Sequence, residues 1–190
     1  MSLLDWDKST FQGINSGLAN PFFDSVMPLV RNPFFWTPVY VFFAAFLIVN
    51  YRMKGVYIIL FAVLTFAITD QLSAHLLKGH FLRLRPCQDP SLAFIVRSLV
   101  PCGAGSSFPS THATNHFGIS VFLIVVLRKR MAWIVPFALT WAALVSFAQI
   151  YVGLHFPVDI IFGATLGIFV GGWVGYVCKL ALKPDSYVIQ

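Results

Sequence analysis

The chain has 190 residues, of which 58% are hydrophobic and only 11% charged, with a formal net charge of +6. Soluble domains carry about 25% charged residues, and one core of this size has no room for so much apolar surface, so a soluble globular protein is excluded. The positive charge lies in short clusters between apolar runs, a matter of membrane topology and a local anion site rather than of a nucleic-acid partner.

In residues 1–32, Leu3, Leu4, Trp6, Phe11, Ile14 and Leu18 mix with Asp5, Asp7, Lys8 and Gln12, the pattern of a helix lying in the membrane interface. Acidic residues stand where a secretory signal would have a basic region. Asn20-Pro21 punctuates the chain, and 22–30 is an apolar stretch too short to span alone: a half-buried helix or part of a sixth span. Five longer apolar runs follow, at 33–49, 55–77, 112–127, 131–152 and 156–178, interrupted only by Asp70, Asp159 and histidines. Spanning hydrocarbon takes roughly 17–25 helical residues, so 112–127 is slightly short. The expectation is an all-α, polytopic membrane helix bundle of five to six spans with an N-terminal interfacial helix. It forms one domain over 1–190, with the bundle proper at 33–183 and no internal repeat.

Basic residues set the orientation. Arg52, Lys54, Arg128, Lys129, Arg130, Lys179 and Lys183 fall on one side of an alternating bundle, which predicts that side to be cytoplasmic. Lys78, Arg83, Arg85 and Arg97 lie in or beside the long loop on the opposite, extracytoplasmic side. Cys87 and Cys102 stand at the two ends of that loop, either as a disulfide suited to an oxidising compartment or as two thiols. A disulfide there would close a loop of about 15 residues, for about 3 kcal/mol.

The polar residues at the span ends form a pattern. Lys78 and Arg85 close the second span; Ser110, Thr111 and His112 open the third; Gln149 closes the fourth; His155 and Asp159 open the fifth. All fall at the extracytoplasmic end. Ionisable groups at membrane depth are costly unless used or paired, so their clustering at one level points to function. Two cations, two imidazoles, a carboxylate and hydroxyls make an anion cradle with a nucleophile and a proton donor.

These residues resemble the three motifs of the type 2 phosphatidic acid phosphatases. Lys78 and Arg85-Pro86, with six residues between them, are similar to the first motif; Pro109-Ser110-Thr111-His112 to the second, with Thr for Gly; and Gln149 to Asp159 to the third, with His155 and Asp159 in register. The resemblance implies a haloperoxidase-like helical core and a phosphatase without cofactor or metal. His155 is then the nucleophile, forming a phosphohistidine. Asp159, one turn on, orients it, and His112 protonates the leaving oxygen and then activates water. Lys78, Arg85, Ser110, Thr111 and Gln149 bind the phosphoryl oxygens, and Gly103 and Gly105 let the loop approach the substrate.

Gln149 departs from the family, which has an arginine there; an amide replaces neither its charge nor its fork of donors. Three readings stay open: a weakened site, compensation by Arg83 or Arg97, or a substrate needing one cation fewer. Other residues have blander readings. His112 and His116 have metal spacing on a helix but lack further ligands, and His116 reads as a buried hydrogen-bonding histidine. His75 and His80 face headgroups or pack locally, and Asp70 ties helices together. Trp6, Trp36, Trp133 and Trp173 suit an interfacial belt, and Gly163, Gly167, Gly171 and Gly175 make a smooth packing face.

The expected activity is hydrolysis of a phosphate monoester or diphosphate on an amphiphilic membrane lipid at the extracytoplasmic face of a bacterial inner membrane. Undecaprenyl diphosphate, lipid A phosphate, phosphatidylglycerol phosphate and phosphatidic acid all fit; the oligomeric state stays open. The competing readings are a lipid phosphotransferase and a non-catalytic lipid-phosphate binder or transporter.

Overall fold

The computed structural model describes residues 2–182; Lys183, counted above among the inner-side cations, lies outside the described residues. Among the described residues there are seven α-helices: α1 (Leu3–Asn15), α2 (Pro21–Val30), α3 (Thr37–Tyr51), α4 (Met53–Asp70), α5 (Thr111–Leu127), α6 (Ile134–Tyr151) and α7 (Pro157–Ala181). Counting the 3-10 turn Pro33–Trp36 with α3 and the π-helical turn Gln71–Leu77 with α4, four helices are long and apolar enough to cross a membrane. α5, at 17 residues, is shorter and apolar.

α5 is the hub of the bundle, packed against α4, α6 and α7. Its seam with α7 is set by glycine. A Cβ on Gly163, Gly167 or Gly171 would meet the carbonyl oxygens of Ser110, Thr114 and Gly118 at 2.6, 2.3 and 2.1 Å, so a side chain there would force the helices apart. On other faces of α5, Ser120 donates to Ala138 O of α6 (2.9 Å), and Asn115 Nδ2 donates to Asp70 Oδ1 of α4 (3.0 Å). Asp70 thus ties two helices together, as the sequence suggests.

The N-terminal helix α1 leaves Leu3, Leu4 and Trp6 exposed, as suits a helix lying in the interface, and docks another face on the bundle. Asp7, Phe11 and Asn15, four apart on one face of α1, are buried. Phe11 packs edge-on against Phe156, and Asn15 donates to Tyr151 O (2.7 Å) and Arg97 O (2.9 Å). Its polar residues are the docking face, because the surface they meet presents backbone groups and an arginine rather than hydrocarbon. α2 is capped by Asn20 and lies over the C-terminal end of α6, with Met27 and Val30 in one buried cluster with Val145, Ala148, Tyr151, Val152 and Leu154.

Candidate active site

The C-terminal ends of α4 and α6 and the N-terminal ends of α5 and α7 meet at one end of the bundle, under the loop between α4 and α5. This loop is stapled by a Cys87–Cys102 disulfide with Cα atoms 6.1 Å apart.

His155 lies in the short turn between α6 and α7, only 2% exposed. Its Nδ1 faces Asp159 Oδ2 at 3.5 Å and its Nε2 faces Arg85 Nη1 at 3.4 Å. The spacing follows from Pro157, which starts α7 in its first turn and sets Asp159 one turn beyond His155. Burial pushes the His155 imidazole below its ordinary value, against the opposing pull of Asp159. The nitrogen that turns away from the carboxylate is Nε2, on the Arg85 side.

Asp159 is fully buried and fully occupied. Oδ2 accepts from Phe156 N (2.9 Å) and from Ser107 Oγ, and Oδ1 accepts from Arg83 Nη1 (2.6 Å). Arg83 lies over the Phe156 ring, 4.4 Å from its centroid, and its other nitrogen donates to Asp7 of α1. Asp7, 1% exposed, also accepts from Val158 N (2.9 Å). A chain of charge thus runs Asp7–Arg83–Asp159–His155. Sequence reasoning missed Asp7 and Ser107, which lie 152 and 52 residues from Asp159 by numbering. The one available signal for Asp7 was the i, i+4, i+8 pattern with Phe11 and Asn15, which is equally the pattern of a solvated face.

Arg85 is nearly buried. Nη1 donates to Leu154 O (3.4 Å), while Nε has no protein partner. A Cβ on Gly103 would stand 3.4 Å from its Cζ, so glycine lets the loop close over the guanidinium. Gly105 adopts a positive φ of 78°, where a side chain is strained, and turns the loop rather than packing on the arginine. Lys78 follows the π-helical turn, whose wider bore appears as the Lys78 N–H donating to Ser73 O, five residues back. Burial first, and then the Arg85 charge, bring its ammonium down to about 8. His112, in the first turn of α5, lies within electrostatic reach of His155 and Lys78.

Other expected residues sit differently. Ser110 is the N-cap of α5, its Oγ accepting from Ala113 N (3.4 Å), and Thr111 Oγ1 is buried without a partner. Gln149 is fully buried, and neither atom of its amide has a protein partner. Arg83 and Arg97 do not stand open to a phosphate, which corrects the expectation that one of them compensates for Gln149. Arg83 is held between Asp7 and Asp159, and Arg97 between Asp24 Oδ2 (2.5 Å) and Asn15 O (3.2 Å). Carboxylates from the N-terminal segment neutralise both. His116 is a buried histidine bonded from Nδ1 to His112 O (2.8 Å). His80 bonds its own helix at Leu76 O (2.6 Å), and His75 is exposed.

Beside His112 and Thr111, a cavity of about 580 Å³ runs between α3, α4, α5 and α6, lined mainly by apolar side chains such as Tyr40, Phe43, Leu47, Phe66, Leu123 and Phe137.

A family model of the PAP2 superfamily matches residues 55–181. The lipid A 4'-phosphatase of Bacteroides thetaiotaomicron is 36% identical over 178 residues, covering 90% of this chain and 77% of that protein. The lipid A 4'-phosphatase of Porphyromonas gingivalis is 30% identical over 177 residues, covering 90% and 72%. The crystal structure of a transmembrane PAP2-type phosphatidylglycerolphosphate phosphatase from Bacillus subtilis superposes with a TM-score of 0.68 at 24% identity, covering 93% of this chain and 88% of that one. The chain belongs to the PAP2 superfamily, and it is a membrane lipid phosphatase.

Proposed function

We propose that this member of the PAP2 superfamily removes a phosphate monoester from an acylated, lipid A-like glycolipid through a phosphohistidine on His155, at the extracytoplasmic face of a bacterial inner membrane. The observation that carries the mechanism is the buried His155–Asp159 pair with Arg85 against the free face of the imidazole. The substrate class rests on the similarity to two lipid A 4'-phosphatases over nine-tenths of the chain.

In the first step His155 Nε2 attacks phosphorus in line with the ester oxygen. The N–P bond forms as the P–O bond breaks, and His112 gives its proton to the departing alcohol. Asp159 accepts from Nδ1–H, fixing the tautomer and stabilising the cation that develops. Lys78 and Arg85 hold the equatorial oxygens, where charge is spread in the transition state. In the second step His112, now neutral, takes a proton from water. That water displaces His155, and inorganic phosphate leaves. Thr111 Oγ1, at the start of α5, adds a donor at a helix N-terminus. The apolar cavity beside His112 suits the substrate's chain, with its headgroup at the cluster above. Exposed Arg52, Arg128, Lys129 and Arg130 at the opposite end support the orientation.

The test is phosphate release by the purified protein from a panel of lipid phosphates and diphosphates, beside His155→Ala and trapping of phosphoenzyme by an alkaline detergent quench. Fastest release from the phosphorylated glycolipid, with a base-stable, acid-labile phosphoenzyme absent in His155→Ala, is expected. Turnover that survives His155→Ala would overturn the mechanism, and preference for a polyprenyl diphosphate would overturn the substrate class.

A further inference from the structure

The cations around His155 divide by partner. Arg83 and Arg97 are paired with carboxylates, whereas Lys78, Arg85 and Arg31 are paired with none among the described residues. A cation out of water without a counter-ion is costly, and an anionic ligand relieves the cost. Lys78 and Arg85 belong to the phosphate site already described; Arg31, at the C-terminal end of α2, belongs to no motif.

Its position follows from packing. On α6, Val145, Gln149 and Val152 lie on one face, at i−4, i and i+3. Val145 and Val152 are in the buried cluster with Met27 and Val30 of α2, so Gln149 stands between two residues that pack on α2, the helix that ends at Arg31. The backbone there is held firm: Arg31 N donates to Met27 O (3.1 Å), and Trp36 Nε1 donates to Val30 O (2.7 Å). Leu154, adjacent to His155, belongs to the same cluster. Arg31 lies within electrostatic reach of both Arg85 and His112, and its Nε is buried with no protein partner. The Gln149 amide, a few residues of cluster away, is likewise unpartnered.

We infer that Arg31 is the third phosphate-binding cation of this site, reaching from α2 into the place that an arginine at position 149 fills elsewhere in the family. The cluster then holds three cations, Lys78, Arg85 and Arg31, and the departure at Gln149 is a relocation of charge from α6 to α2. A guanidinium and an uncharged amide fit side by side where two guanidinium groups would repel. The inference rests on the phosphatase reading for its ligand, but the ligand chemistry is simply a phosphoryl group.

The experiment measures binding of inorganic phosphate to the purified full chain by titration calorimetry, together with KM and kcat for lipid phosphate release. Arg31→Ala should weaken phosphate binding on the order of 10- to 100-fold, the loss of a charge-assisted contact. Arg31→Lys should keep part of it. The decisive variant is Gln149→Arg on the Arg31→Ala background, which should restore binding and turnover. Gln149→Arg alone should bring no gain. Phosphate binding unchanged in Arg31→Ala would overturn the inference, and so would a loss that Gln149→Arg does not recover in protein of unchanged melting temperature. Wild-type protein that binds phosphate through Arg31 yet releases none from any lipid would leave this inference standing and sink the enzymatic reading.

Discussion

The two ends of the bundle are both rich in Lys and Arg, yet they use them differently. At the end expected to be inner, Arg52, Arg128, Lys129 and Arg130 are exposed, at the ends of apolar helices. At the end expected to be outer, Arg83 and Arg97 are locked to carboxylates from α1 and α2, and Arg31, Lys78 and Arg85 stand half-buried or buried around two histidines without one. Surface charge of the first kind sets orientation and can be exchanged freely. Charge of the second kind is removed from water and fixed in geometry, so each member needs either a carboxylate or a bound anion.

Substitutions can break or sharpen that contrast. The largest effect is expected at Asp159→Asn: the imidazole loses its orienting partner, and kcat for phosphate release should fall on the order of 10⁴-fold. Asp7→Asn reaches the same carboxylate through Arg83 and should lower kcat roughly tenfold with little change in KM. Lys8→Ala, on the same helix as Asp7, breaks a half-exposed pair with Asp89 of the α4–α5 loop (2.8 Å) and should change neither. If Lys8→Ala and Asp7→Asn prove equal, α1 acts only by docking.

The next effect is one of pH. Lys78 is protonated below about 8 and neutral above it, so its hold on the phosphoryl oxygens is present on the acid side and lost on the alkaline side. A profile of kcat/KM should therefore fall as pH rises through about 8, and Lys78→Arg should move that limb upward. The smallest effect is expected at the inner end: exchanging Arg128, Lys129 and Arg130 for Gln together should leave kcat/KM within about twofold. A larger loss would mean that the inner end does more than set orientation.

Much of the architecture was legible. The five apolar runs foreshadow α3 to α7 within a few residues, because hydrocarbon length and hydropathy are local properties of the chain. The four-residue spacings carried over too: His155 faces Asp159, and Gly163, Gly167 and Gly171 form the seam on α5. The partners across long stretches of chain were not legible. Arg83 and Arg97 read as available cations because counting charge in a loop ignores the carboxylates that another segment brings to it. Asp7 read as one of the polar residues of a helix lying in the membrane interface. Nothing in periodicity distinguishes a polar residue that meets water from one that meets a buried arginine. The π-helical turn before Lys78 was likewise invisible, since its sequence is that of an ordinary apolar helix.

The docking of α1 has a practical side. Ser2 and Asp5 cap its first turn reciprocally, and Asp7 lies only one turn further on. A purification tag joined ahead of Ser2, or a trimming of the first dozen residues for crystallisation, therefore acts within three contacts of His155. A preparation inactivated in that way would have lost a brace rather than its chemistry, and adding the first helix back as a synthetic peptide is the way to find out.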